Sequence, residues 1–273
     1  MQTKYFIKPI YLCIIIISLL LSGCFTQPRT PYTHKKPKAP AVTADSRLCG
    51  DWQVLDIDDF RLENNVWNKQ GITDYQQCIY QIDYDSSYPF GWTWAWPEQD
   101  YSVKAYPEII YGWKPWAVQS TNSNLPVQIS QIGELVVNYD IETEAEGNYN
   151  LSFDIWINKQ KTPSPNNISA ELMIWLHNHG MNPAGGFANQ VNIDGELYDF
   201  NIGGVGHASW VYIAFVLVEP EYKGDTKIHE IIKYLVDNDH ISSSEYISSI
   251  ELGNELIDGR GNTKFNHFSV MMK

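Results

Sequence analysis

Glu171 opens the run Glu-Leu-Met-Ile-Trp-Leu (171–176), which otherwise reads as a buried strand. A carboxylate there costs free energy unless a partner or an open face offsets it. Period-two geometry supplies a face. Glu171, Met173 and Trp175 project to one side, and Leu172, Ile174 and Leu176 to the other. The run Asn-Leu-Ser-Phe-Asp-Ile-Trp-Ile-Asn (150–158) repeats the arrangement: Leu151, Phe153, Ile155 and Ile157 oppose Ser152, Asp154 and Trp156. Near the C-terminus, Glu251, Gly253 and Glu255 share a face if the strand continues that far. Acids beside tryptophans on polar strand faces suit a carbohydrate ligand. Sugar rings stack on aromatic faces, and two carboxylates suffice to hydrolyse a glycosidic bond. The plainer use of an acid on a strand is to solvate it.

Aromatic residues make up 14% of the chain, with 10 Trp and 17 Tyr, which leaves rings to spare for ligand platforms. In Trp-Thr-Trp-Ala-Trp (92–96) the three indoles share a face, which favours a stacked row. Trp113 and Trp116 are further candidates. Core packing is the competing use of each. His177 and His179 would also share a strand face, but no third ligand of suitable spacing accompanies them. They lie where the strand is ending and read as a surface turn. No metal and no cofactor are expected.

The elements that must position these groups are mostly strands. Alternating or apolar runs over 106–116, 134–142, 191–203, 210–218 and 246–255 are separated by turn residues, which argues a sandwich or barrel. One segment differs. Ile228, Ile231, Ile232, Leu235 and Val236 recur at helical spacing, so an amphipathic helix over about 226–237 packs on a β body. The chain's 273 residues, 44% hydrophobic, suit one large domain, and no internal repeat is visible.

The N-terminus reads as a targeting signal over 1–23. Lys4 and Lys8 precede the apolar stretch Ile-Tyr-Leu-Cys-Ile-Ile-Ile-Ile-Ser-Leu-Leu-Leu, and Leu-Ser-Gly-Cys (21–24) resembles a bacterial lipobox. That resemblance implies cleavage before Cys24 and lipidation of it, anchoring the protein to the cell envelope. Phe25, rather than an aspartate, favours the outer membrane. An uncleaved anchor is the alternative, although the apolar run is short for a span. Residues 24–48 then form a tether rich in proline and lysine. Cys49 and Cys78 remain, an even pair outside the cytoplasm, where a disulfide is favoured over two free thiols. A net charge of -13, more acidic still without the leader, excludes nucleic acid as a partner but not a neutral ligand.

Several motifs, in chain order, resemble those of glycoside hydrolase family 12, the endo-β-1,4-glucanases and xyloglucan hydrolases. Cys-Gly-Asp-Trp (49–52) and Gln-Gln-Cys (76–78) resemble the flanks of the family's N-terminal disulfide. Asn-Asn-Val-Trp (64–67) resembles its Asn-Asn-x-Trp. Tyr106–Trp116 resembles a groove strand, Glu171–Leu176 with Gly180–Gly185 the nucleophile strand and its turn, and Ile250–Glu255 the acid/base segment. The resemblance implies a monomeric β-jelly-roll sandwich of two antiparallel sheets with a concave groove, the catalytic domain spanning 49–273. It implies a β-glucan substrate, Glu171 as nucleophile, Glu255 as general acid/base, and Asp154 hydrogen-bonded to the nucleophile. Asn65, Trp67, Met173 and Pro183 would line the groove. The reaction would retain configuration, with the carboxyls about 5–5.5 Å apart. Leu256-Ile257 depart from the residues that commonly follow the family's acid/base. Glu251 competes with Glu255 for that role. A xylanase, or a non-catalytic glycan-binding lipoprotein on the same fold, are alternatives.

Overall fold

Two sheets face each other across the hydrophobic core, in a computed structural model that describes residues 37–83 and 86–273. The smaller sheet has six strands in the order β1 (Ser46–Leu48), β4 (Gln76–Gln81), β5 (Phe90–Trp96), β16 (Gly259–Met272), β8 (Leu135–Glu146) and β14 (Lys223–Lys227). The larger sheet runs β11 (Gly186–Ile193), β12 (Glu196–Gly203), β13 (Val211–Leu217), β10 (Ile168–His179), β9 (Tyr149–Asn158), β15 (Tyr246–Gly253), β6 (Glu108–Gly112), β3 (Phe60–Glu63) and β2 (Val54–Ile57). A short strand, β7 (Val127–Gln128), also pairs with β15. Neighbours are antiparallel except β10 and β13, which run parallel.

The alternation read from the sequence sets the two faces of the large sheet. Leu172, Ile174, Phe153, Ile155, Ile213 and Phe215 are fully buried and meet Phe90, Val137, Phe265 and Phe268 of the small sheet. Each such side chain contributes on the order of 1.5–3 kcal/mol by leaving water. The opposite face carries Glu171, Met173 and Trp175 of β10, and a smaller apolar cluster covers it: Met173, Trp175, Met181, Tyr212, Ala214 and Ile257. The one α-helix among the described residues, α1 (Ile228–Asp237), buries Ile228, Ile231, Ile232 and Leu235 as its spacing requires.

Four expectations need correction. Trp92, Trp94 and Trp96 do share a face, but it is the core face, and all three are buried. Trp92 donates to Asn254 Oδ1 at 2.7 Å and Trp96 to Gln77 Oε1 at 3.0 Å. They form no sugar platform, because the second sheet covers them. The tether ends earlier than expected, since Ser46–Leu48 pairs with β4 and Ala39 is buried with its N–H on Gln76. His177 and His179 belong to β10 rather than to a turn. A register shift after Trp175 pairs His177 with Leu151, so its ring packs on Tyr149 and Tyr222. Strand β15 ends at Gly253, so Glu255 lies beyond it.

Cys49 and Cys78 form a disulfide across 29 residues, tying the segment before β2 to β4. Replacing both cysteines with alanine is expected to lower the unfolding free energy by about 3–4 kcal/mol. Chemical denaturation would measure the loss, and activity at 25 °C should persist because Cys78 lies in the small sheet and Glu171 on the outer face of the large one.

Candidate active site

Cross-strand register gathers acids on the outer face of the large sheet. Met173 lies opposite Asp154, Asp154 opposite Glu251, and Glu251 opposite Ile110. One step along, Glu171 lies between Trp156 of β9 and Tyr212 of β13. Directly paired residues share a face, so five strands present one continuous surface. Glu171 is half-buried, and its Oε2 accepts a 2.7 Å hydrogen bond from Trp210 Nε1. Burial pushes its pKa up to about 7; the Trp210 bond acts against the rise and Glu251 adds to it. Asp154 is buried and its Oδ1 has no hydrogen-bond partner, while the Trp210 indole supplies the hydrogen bond on Glu171 Oε2. Burial, then the charges of Glu171, Glu251 and Glu108, raise the Asp154 pKa well above the usual range and favour its neutral form.

Glu255 reaches the same face from an irregular segment, 254–257, clamped between two chains. Leu256 bridges Ala105 on one side and Tyr149 on the other, and Ile257 N–H donates to Asn148 O at 3.0 Å. Gly253 permits this crossing: a Cβ there would meet Pro107 O at 2.5 Å and the Tyr106 ring at 2.9 Å. Asn150 holds Glu255 twice, donating from Nδ2 to Oε2 at 2.5 Å and accepting the Glu255 N–H at 2.8 Å. Beneath lies Asn254, fully buried. Its Oδ1 accepts from Trp92 Nε1 and from Thr263 Oγ1 at 2.8 Å, and its Nδ2 donates to Asn150 O. Burial, then the charge of Glu171, pushes Glu255 up to about 7, with the Asn150 bond acting against it. The two carboxyls therefore sense each other, and Tyr212 senses both.

Behind these acids sits a buried ion cluster. Lys114 Nζ donates to Glu108, with Glu63 at 3.3 Å and Glu251 at 3.5 Å. Burial opposes the Lys114 charge, but Glu108, Glu251 and Glu63 outweigh it and raise its pKa well above the ordinary lysine value. Glu251, the rival acid/base, is nearly inaccessible and accepts from Ser249 Oγ at 2.8 Å. It belongs to the buried ion cluster on that face, where it is closed to a ligand.

The expected ligand residues divide. Trp116 and Trp67 are half exposed, and Trp116 rests edge-on against Trp156. Pro183 lies partly exposed in the turn after β10. Met173 is buried, its sulfur accepting from Tyr212 Oη at 3.2 Å, so it floors the site rather than lining it. Asn65 is buried and donates to Glu108 at 2.8 Å, which makes it part of the ion cluster. Trp113 is tied to its own turn through Nε1 and Ala117 O at 3.0 Å. Cys24 lies outside the described residues. Trp210, Tyr212, Asn150, Lys114 and Glu108 went unnoticed in the sequence. For the ion cluster, the sequence offers only an acid and a lysine close together, Glu108 and Lys114. Two surface depressions of about 430 and 550 Å³ lie elsewhere and include neither Glu171 nor Glu255.

The chain is similar to known proteins over most of its length. Residues 58–273 match the model of glycosyl hydrolase family 12. Endoglucanase S of Pectobacterium parmentieri is 32% identical over 219 residues, 78% of this chain and 82% of that protein. The family 12 xyloglucanase of Bacillus licheniformis, solved with a ligand, superposes with a TM-score of 0.76 at 27% identity, covering 84% of this chain and all of that one. An endoglucanase from Rhodothermus marinus gives a TM-score of 0.72 at 27% identity, covering 84% and 99%.

Replacing Asn254 with alanine would leave the Trp92 N–H and the Thr263 hydroxyl without their acceptor. The expected cost is about 2–4 kcal/mol of stability, measured by urea unfolding. Because Asn254 underlies Glu255, kcat should fall more than KM rises.

Proposed function

Because the chain belongs to glycosyl hydrolase family 12, we propose that it is an endo-β-1,4-glucanase of the cellulase or xyloglucanase type that retains anomeric configuration. The observation that carries this is the convergence of Glu171 and Glu255 on one open sheet face, each pushed up to about 7. Glu171 attacks the anomeric carbon and forms a glycosyl ester, while Glu255 gives its proton to the departing glycosidic oxygen. Loss of the Glu171 charge in the ester then lowers the proton affinity of Glu255. Glu255 takes a proton from water, and the resulting hydroxide releases the sugar from Glu171. Asp154, kept neutral by its surroundings, adds no further negative charge beside the nucleophile. Trp116 and Trp67 offer exposed faces for sugar rings on either bare or branched β-1,4-glucan.

Leu-Ser-Gly-Cys supports a second element of this proposal: Cys24 is lipidated, and the tether holds the domain at the envelope, on the outer membrane where the cell has one. A tethered enzyme cannot roam an insoluble fibre, so soluble β-glucans are its substrates.

Glu171→Gln and Glu255→Gln are each expected to lower release of reducing ends from soluble β-glucans by at least about a thousandfold. Undiminished turnover by either would remove the role assigned to that residue and favour a binding protein. The wild-type kcat/KM should be bell-shaped about neutrality. It falls at low pH as Glu171 gains a proton and at high pH as Glu255 loses one. Separately, Cys24→Ser should move the protein from the membrane fraction to the soluble one. Persistence in the membrane would sink the anchor.

A further inference from the structure

The hydrogen bond on Glu171 comes from outside the strand ladder. Trp210 precedes the first residue of β13, and Glu171 pairs with Tyr212 in that parallel register. Its indole donates to Glu171 Oε2 at 2.7 Å. The same indole rests edge-on against Trp156, with centroids 5.7 Å apart at 86°. Trp156 lies directly across from Glu171 and is buried, its Nε1 without a partner, so it is held by packing alone. On its other side Trp156 meets Trp116, centroids 4.8 Å apart at 80°, and Trp116 is half exposed. Three indoles thus connect an exposed aromatic face to the carboxylate. The titratable groups coupled to Glu171 are acids and a phenol, Asp154 from β9, Glu251 from β15, Glu255 beyond it and Tyr212 from β13, with the Lys114 cation one layer away beside Glu251. Trp210 is the neutral donor set against them.

Building on Glu171 as nucleophile, we propose that Trp210 is its positioning residue. The bond to Oε2 orients the carboxylate so that Oε1 is the attacking oxygen, and the edge-to-face series Trp116–Trp156–Trp210 ties that orientation to the surface on which a sugar ring rests. No proton or electron passes through the indole. It holds the charged form of the carboxylate in place, and a hydrogen bond to a charged group is among the stronger kind.

Trp210→Phe preserves a ring against Trp156 and removes only the donor. Expected is a shift of the acidic limb of kcat/KM to higher pH by about one unit. On that limb kcat falls about tenfold, while KM on a soluble β-glucan stays within about twofold. The melting temperature should change little, since the residue is partly exposed. Trp210→Ala, which also removes the packing, should move the limb as far and raise KM as well. A Trp210→Phe profile that superposes on the wild type, with Glu171→Gln inactive, overturns the positioning role and leaves the nucleophile intact. Turnover by Glu171→Gln overturns both.

Discussion

Glu63, Glu108, Asp154, Glu171 and Glu251 crowd one face of a single sheet, and Lys114 is the buried cation set among them. Acids so close repel one another, and taking them from water adds a cost that pairing must offset. Lys114 partners the deep acids Glu108 and Glu251, with Asn65 and Ser249 filling further lone pairs. Even beside Lys114, burial raises the Glu108 pKa well above the usual carboxylate range, and the acids that lack a cation partner rise as well. Asp154 favours its neutral form, and Glu171 and Glu255 titrate about 7. A gradient from paired to unpaired carboxylates therefore runs across the sheet, and its unpaired end is where a proton can be exchanged with a substrate.

The second requirement is that Glu255 be held without a strand. Two neighbouring chains, 104–107 and 148–150, grip the segment 254–257 by backbone hydrogen bonds, and Asn150 grips the side chain itself. The residues that depart from the family pattern contribute to this grip. Leu256 is fully buried between Ala105 and Tyr149, and Ile257 joins the apolar cluster around Met173 and Trp175. Two aliphatic anchors immediately after the acid fix its approach. Asn254 couples that anchor to the opposite sheet through Trp92 and Thr263. The core and the chemistry are joined at one buried amide.

Much of this organisation could be read from one dimension. Period-two alternation placed Glu171 with Met173, and Asp154 with Trp156, on the side away from Leu172 and Phe153, and helical spacing found α1. These relations hold within one element, where backbone geometry alone sets which side chains are neighbours. The same rule grouped Trp92, Trp94 and Trp96 correctly and still assigned them the wrong surroundings. Alternation states that residues share a face but says nothing of what lies against it.

What stayed hidden arises between elements distant in the chain. Trp210 reaches Glu171 only because β13 inserts parallel to β10, and Glu251 is sealed only because Lys114 arrives from the turn after β6. His177 turns toward the core because a single-residue register shift exchanges the faces of β10 near its end. The residue types and their local spacing thus named the acids and the strand that carries the first of them. Which acid is open, which is paired and which donor holds the nucleophile follow from long-range packing, because charge, burial and hydrogen bonding depend on neighbours in space rather than in order.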